Sequence, residues 1–160
     1  MSNSKIISEN VWDYPRPAIC QPFSGTLEVY IDDILVARTK RAWRVIETSH
    51  PPSYYFHPED VQDNLLKKNI KTTLCEWKGQ ASYFDYLSKK SNILDLCWTY
   101  QAPVKNFLPI RNYFSFYSSK CSSCFINNEK VIPQDGDFYG GWITKKLKGP
   151  FKGSKRTLDW

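Results

Sequence analysis

Both histidines of the chain lie in one short stretch, residues 48–61, with the sequence TSHPPSYYFHPEDV. His50 precedes the diproline at 51–52, and a residue before proline is restricted to extended backbone geometry. An imidazole held in this way suits hydrogen bonding or proton transfer near neutral pH. His50 is therefore a candidate binding or acid/base group. His57 precedes Pro58 and is predicted to cap a short helix rather than to bind a ligand.

Aromatic and acidic side chains surround His50 in the sequence. Tyr54 and Tyr55 are neighbours, so on a strand their rings face opposite sides, and one can pack in the core while the other lines a cavity. Trp43 and Glu47 belong to a strand predicted at 43–47, with a turn expected at the diproline. We expect these residues to contribute rings and a carboxylate to the same site.

The string LCEWKG at 74–79 contains a thiol, a carboxylate and an ammonium group. If the strand predicted at 72–77 continues, Cys75 and Trp77 face one side, and Glu76 and Lys78 face the other. Cys75 is then predicted to be an inert core residue. Glu76 and Lys78, about 7 Å apart along the strand, either hold a polar ligand or form an ordinary surface ion pair.

A glycine pair at 140–141 lies between two large rings, Tyr139 and Trp142. Glycines let the backbone approach another group closely, and rings around such a backbone can form a slot for a planar ligand. A β-bulge closed by the same aromatics is the alternative. Gly140 and Gly141 are therefore candidate ligand contacts together with both rings, and Lys152 in GPFKG is placed over the same opening.

Many short β-rich segments separated by turn residues predict a mainly β fold, a barrel or sandwich of short antiparallel strands. Asp32–Asp33 and Asn127–Asn128 are predicted hairpin turns. One short helix is expected near residues 58–67, with proline first, acids next and lysines last. The predicted strands are 27–31, 34–37, 43–47, 72–77, 82–86, 94–98, 113–117, 125–126, 130–132 and 141–144.

The chain has 160 residues, and a chain of this length closes about one hydrophobic core. We expect a flexible N-terminus at 1–10 and a single domain at 11–160. Its five cysteines and the absence of an apolar leader in MSNSKIISEN predict reduced thiols in a cytoplasmic protein without membrane segments. Exposed strand edges can pair between two copies of a chain, so the sequence also allows a homodimer.

Metal binding is not expected. Cys121 and Cys124 have the spacing of one zinc knuckle, but the chain has no second pair with this spacing. The basic residues are concentrated at the C-terminal end: from Gly140 onward there are six lysines and arginines and one acid. Such a basic segment with interleaved rings can bind a single-stranded nucleic acid.

Five strings along the chain resemble domain-of-unknown-function family 427: VWDYPRPA, RVIETSHPPSYYFHPEDV, LCEWKGQASYFD, PQDGDFYGGWIT and GPFKGSKRTLDW. This resemblance covers residues 11–160 and implies a fold similar to the β-tent proteins, which include zinc-bearing methionine sulfoxide reductases and the thalidomide-binding domain of cereblon. The family is also labelled nucleotidyltransferase-like, but the sequence lacks a Gly-Ser motif followed by the paired aspartates of that chemistry.

The sequence therefore predicts a domain that binds a small planar polar ligand, nucleotide-like or imide-like, in an aromatic pocket and without a cofactor. Two other functions are weighed against this one. The first is an enzyme that acts on a small metabolite or nucleotide, with Glu76 or His50 as the acid or base. The second is a nucleic-acid binder that uses the basic C-terminal segment. No complete set of nucleophile, base and orienting group can be assembled from the sequence, which favours binding over catalysis.

Overall fold

A computed structural model of the chain describes residues 8–134 and 140–151. This part of the chain is mainly β, as predicted, with short 3-10 helices between strands. The 3-10 helices are Val11–Asp13, Pro58–Asp60, Asp63–Leu65, Lys105–Ile110 and Ser118–Lys120. The strands are β1 (Glu9–Asn10), β2 (Ile19–Phe23), β3 (Leu27–Ile31), β4 (Ile34–Thr39), β5 (Ala42–Glu47), β6 (His50–Tyr55), β7 (Leu66–Cys75), β8 (Gly79–Leu87), β9 (Asn92–Tyr100), β10 (Ser115–Phe116), β11 (Ser123–Ile126), β12 (Glu129–Lys130), β13 (Ile132–Pro133), β14 (Trp142–Ile143) and β15 (Leu147–Lys148).

Three antiparallel sheets make up the body of the fold. Their strand orders are β10-β9-β8-β7, β12-β11-β3-β4 and β2-β5-β6. Two small pairings, antiparallel β13-β14 and parallel β1-β15, add to them. Within the described ranges no sheet closes into a barrel, and the arrangement is consistent with a sandwich.

The two predicted hairpin turns are confirmed. Asp32 and Asp33 connect β3 to β4 with φ of 49° and 65°, and Asn127 and Asn128 connect β11 to β12 with φ of 48° and 71°. Two consecutive residues with positive φ form the tight turn that matches the twist of a hairpin, and Asp and Asn tolerate this conformation.

The core lies between the sheets and is built largely from rings. Its main cluster joins alternate residues of β3, Leu27, Val29 and Ile31, to side chains of β6, β8, β9, β10 and β14. A second cluster, on the other face of β6, contains Tyr55 with Tyr83 of β8 and Trp98 and Tyr100 of β9. The two faces of β6 thus enter different clusters, and this division positions the site described below.

The segment predicted as a helix near residues 58–67 forms two separate 3-10 turns, Pro58–Asp60 and Asp63–Leu65. Val61 lies between them in an isolated β-bridge with Ala37, and the Gln62 amide donates to the Val36 carbonyl at 2.8 Å. This pairing with β4 replaces the hydrogen bonds that would continue a helix. His57 caps the first turn as predicted, because its Nδ1 accepts from the Glu59 amide at 3.1 Å.

The diproline lies inside a strand, and the turn expected there is wrong. The turn falls at Thr48 and Ser49, where Ser49 has a φ of 72°, and β6 begins at His50. β6 is an edge strand of its sheet, and its pairing with β5 shifts register beside the prolines. Edge strands and bulges are where a residue without an N–H is tolerated.

The N-terminal segment is ordered further upstream than expected. Glu9 and Asn10, which the sequence assigned to a flexible N-terminus, pair in parallel with Leu147 and Lys148 as β1 and β15. Across residues 8–134 and 140–151, no helix has the length and apolar character needed to cross a bilayer.

Candidate functional site

A cavity of about 800 Å³ opens between the β5–β6 hairpin, the β7–β8 hairpin and β9. Its volume falls in the range of small-molecule sites. Strand alternation explains which side chains reach it: Val45 and Glu47 do so from β5, and Pro51, Ser53 and Tyr55 do so from β6. These side chains lie on one face of the hairpin, and His50 at the start of β6 also lines the cavity.

Eight of the residues singled out from the sequence line this one cavity. They come from the end of β5, the start and end of β6, the β7–β8 turn and the glycine pair before β14. These residues are Glu47, His50, Tyr55, Glu76, Trp77, Lys78, Gly140 and Gly141.

Three other candidates do not line the cavity. Tyr54 faces the opposite side of β6 from Tyr55 and packs in the main core, with its ring centroid 5.5 Å from that of Trp142. Trp142 is fully buried, and its Nε1 donates to the Phe116 carbonyl at 3.0 Å. Trp43 packs beside the second core cluster. Tyr139 and Lys152 lie outside the described residues.

The β7–β8 turn changes the interpretation of the LCEWKG string. β7 ends at Cys75 and β8 begins at Gly79, so residues 76–78 form a turn and do not alternate as a strand would. Cys75, Glu76, Trp77 and Lys78 all line the cavity. The expectation that the thiol and the carboxylate face opposite sides is therefore wrong.

Four further rings of the cavity were not singled out from the sequence: Tyr83, Trp98, Tyr100 and Tyr117. Tyr83 pairs directly with Trp98 across β8 and β9, and Tyr100 lies two residues further along β9, on the same face. The Trp98 and Tyr117 ring centroids are 4.6 Å apart, and Trp98 Nε1 donates to the Tyr55 hydroxyl at 3.3 Å. The alternation of large rings in CWTY was the available signal for Trp98 and Tyr100.

The glycine pair brings the main chain against these rings. A Cβ atom on Gly140 would lie 2.4 Å from Cη2 of Trp98 and 3.2 Å from Cδ1 of Tyr117, and one on Gly141 would lie 2.7 Å from the Pro51 carbonyl oxygen. Real Cβ atoms do not approach other atoms at 2.4 or 2.7 Å, so both positions require glycine. This is the close backbone approach expected from the sequence.

Most of the chain matches the model of a known protein family. The family model described as Domain of unknown function (DUF427) matches residues 19–127, which is more than half of the chain. The chain belongs to this family. No curated protein matches the chain significantly. The matched family segment runs from β2 to the β11–β12 turn and includes the cavity residues from Val45 to Tyr117, whereas Gln134 and the glycine pair follow it.

The family segment supplies charged groups of both signs to the cavity: Glu47, Glu76, Lys71 and Lys78, with His50 beside them. Lys71 is already paired, because its Nζ lies 3.3 Å from Oδ2 of Asp95 and 4.6 Å from the centroid of the Tyr83 ring. His50 Nδ1 is 2.9 Å from the Thr48 carbonyl oxygen, a contact that orients the imidazole when Nδ1 carries the proton.

Burial raises the pKa of the cavity phenols. It is the main cause for Tyr55, Tyr100 and Tyr117, and neighbouring phenols add to it for Tyr100 and Tyr117. These hydroxyls therefore remain neutral and keep their hydrogen-bonding protons at physiological pH. The wall is aromatic in shape but still offers polar atoms.

Metal binding has no support in the described part of the chain, where no three His, Cys, Asp or Glu side chains are grouped to hold an ion. All five cysteines are free thiols. Cys121 Sγ is 3.3 Å from the Tyr117 carbonyl oxygen, and a hydrogen bond with Cys121, together with burial, raises the pKa of Cys124. The residues present do not fit the zinc that the β-tent resemblance implies.

Proposed function

We propose that the chain binds a small, planar and polar ligand, of the nucleotide or imide kind, in the cavity between β5–β6 and β7–β8. The observation that carries this proposal is the convergence of six aromatic rings and several charged groups on one cavity of about 800 Å³. Pockets of this size with a mostly apolar lining and a few polar groups are typical of ligand sites.

The rings divide the site into a stacking wall and a polar rim. Tyr55, Trp98, Tyr100 and Tyr117 contact one another and are buried, so their arrangement does not depend on the ligand. Glu76 is exposed at the turn, beside Lys78. A flat ligand against this wall would reach the rim with its edge, where carboxylates accept hydrogen bonds from ring N–H groups.

Thermal unfolding with a panel of uracil, uridine, uridine 5′-monophosphate, succinimide and glutarimide tests the proposal. A ligand present at 100 times its Kd stabilises the folded state by about 2.7 kcal/mol. Imides are included because the β-tent-like fold that we propose accepts an imide in cereblon. Failure of every compound to shift Tm at millimolar concentration would contradict the proposal.

Matched variants connect the stabilisation to the site. Glu76→Gln and His50→Ala are expected to weaken binding at least severalfold while the free protein keeps its fold. Glu59→Gln is the control, because Glu59 is an exposed carboxylate that pairs with Arg41 away from the cavity. Consumption of a bound compound, abolished by Glu76→Gln, would instead support the enzymatic alternative with Glu76 as base.

Nucleic-acid binding, a cytoplasmic location and a homodimer remain predictions from the sequence. Of the six basic residues after Gly140, Lys145, Lys146 and Lys148 are described, and the other three lie outside the described residues. Nucleic-acid binding through this segment predicts affinity for single strands that falls steeply with salt. A cytoplasmic location and a homodimer are likewise proposed from the sequence alone.

A further inference from the structure

Lys78 is held in the cavity by a fixed turn. Its backbone carbonyl accepts from the Val104 amide at 2.9 Å, which attaches the β7–β8 turn to the segment that precedes the Lys105–Ile110 helix. The residue is half-buried, and it lines the same cavity as the rings of Tyr55 and Trp98. The ammonium group is therefore partly removed from water, which has a free-energy cost unless another group compensates for it.

Among the described residues, no carboxylate forms a close ion pair with Lys78. Within the described ranges the ion pairs under 4.0 Å involve Arg38, Arg41, Arg44 and Lys71, and none involves Lys78. Lys78 interacts electrostatically with Tyr55, Cys75 and Glu47, and its side chain also hydrogen-bonds to the Cys75 thiol. Buried charges in proteins are normally paired. Lys78 thus differs from Lys71, whose Nζ contacts Asp95 at 3.3 Å.

Lys78 nevertheless keeps its proton. Burial lowers the pKa of Lys78, but Tyr55, Cys75 and Glu47 raise it by more, so the pKa lies above its ordinary value. A lysine that acts as a nucleophile or as a general base needs the opposite shift. Its role is therefore that of a fixed positive charge.

We propose that Lys78 binds an anionic group, a carboxylate or a phosphate, on a ligand whose planar part lies against Trp98 and Tyr117. The inference rests on the proposed function and names the class of ligand more narrowly. Glu47 and Glu76 line the same cavity and would repel an anion without donors. The ligand therefore combines an anionic substituent with N–H donors on a planar ring.

Two matched pairs of probes test this inference by calorimetry: uracil with orotate, its 6-carboxylate, and uridine with uridine 5′-monophosphate. In at least one pair the anionic member is expected to bind about tenfold more tightly, as a charge-assisted hydrogen bond implies. A preference in the first pair identifies a carboxylate on the ring, and a preference in the second identifies a phosphate beyond it.

Lys78→Met is expected to remove this preference, so that both members of a pair bind with the same Kd, and Lys78→Arg is expected to keep most of it. Lys89→Met is the control, because Lys89 is exposed in the β8–β9 turn. Circular dichroism and Tm of the free variants show that the fold is retained. These readouts separate an anion contact from a purely structural role.

Each negative outcome has its own meaning. If the neutral members bind the wild-type protein as tightly as the anions, the inference about Lys78 is wrong while the proposed function stands. If the preference survives in Lys78→Met, another cation binds the anion and the inference is again wrong. If no probe of either pair binds and no compound of the wider panel raises Tm, the proposed function fails and the inference fails with it.

Discussion

Strand β5 carries charged side chains on both of its faces, and the two faces differ in how these charges are paired. On one face, Arg44 is almost fully buried, and its Nη1 and Nη2 contact the two carboxylate oxygens of Glu9 at 3.0 and 3.1 Å. Its Nε donates to Gln21 Oε1 at 2.8 Å. The Tyr14 hydroxyl completes this group by donating to Glu9 at 2.8 Å.

The other face of β5 opens into the cavity. Val45 and Glu47 point there, and Lys78 reaches the same space from the β7–β8 turn without a carboxylate within 4.0 Å among the described residues. Of two adjacent residues, Arg44 is paired with Glu9, whereas Val45 lines the open cavity. The comparison teaches that burial of charge alone does not indicate a site, and that the proposed anion contact rests on incomplete pairing of a charge within a cavity.

The largest loss of stability is expected at the face of β5 where Arg44 pairs with Glu9. Glu9→Gln leaves the Arg44 guanidinium buried without its counter-charge, and we expect a loss of about 2 to 3 kcal/mol in the free energy of unfolding, less than for a fully buried pair because Glu9 is partly exposed. Urea unfolding measures it. The exposed pair of Glu59 with Arg41 provides the control, where Glu59→Gln should cost under about 0.5 kcal/mol.

The ion pair of Arg44 with Glu9 makes the free energy of unfolding depend on pH. Hydrogen bonding from Arg44 holds the pKa of Glu9 below its ordinary value of 4.5. The contribution of the pair to stability is therefore complete above pH 4.5 and is lost as the pH falls through the lowered pKa of the folded state. The difference in stability between wild type and Glu9→Gln should narrow in acid, and a difference that is constant with pH would contradict the assigned pairing.

An intermediate effect is expected at the aromatic wall. Gly140→Ala places a methyl group 2.4 Å from Cη2 of Trp98, and overpacking of this kind costs about 2 kcal/mol. Trp98→Phe removes the part of the indole that this methyl group would meet. The double variant should therefore be more stable than the sum of the two single changes predicts. Strict additivity in this double-mutant cycle would mean that the glycine does not contact the ring as described.

The smallest effect is expected at Lys78. Lys78→Met removes a charge that has no carboxylate within 4.0 Å among residues 8–134 and 140–151, so the free energy of unfolding should change by less than about 0.5 kcal/mol, or rise slightly. A small stability change for Lys78→Met and a large one for Glu9→Gln would distinguish a charge that acts in binding from a charge that stabilises the fold. A loss above about 1 kcal/mol would show that Lys78 is paired within the chain.

The sequence predicted those parts of the fold that depend on local chemistry. The Asp32–Asp33 and Asn127–Asn128 turns were predictable because few residue types tolerate two positive φ angles in succession. The helix near residues 58–67 was a different case, since Val61 pairs with Ala37, a residue distant in the sequence. Local propensity is weak against such tertiary pairing.

The candidate site divides in the same way. His50 was singled out because it precedes a diproline, and Glu76 and Lys78 because LCEWKG holds a carboxylate and an ammonium group close together, although the strand assumed there is a turn. Tyr83 was missed because its position opposite Trp98 depends on the register of β8 and β9, which no local pattern encodes. Tyr54 was included because alternation shows that Tyr54 and Tyr55 face opposite sides but does not show which side holds the cavity, and Trp142 was included because it follows the glycine pair.

The β7–β8 turn also has an evolutionary consequence. Three consecutive residues, Glu76, Trp77 and Lys78, contribute a carboxylate, a ring and an ammonium group to the cavity, and none of them belongs to a strand. Turns accept substitution more readily than the elements they connect. We therefore expect changes confined to these three positions to alter the selectivity of the proposed ligand site while the aromatic wall beneath them stays the same.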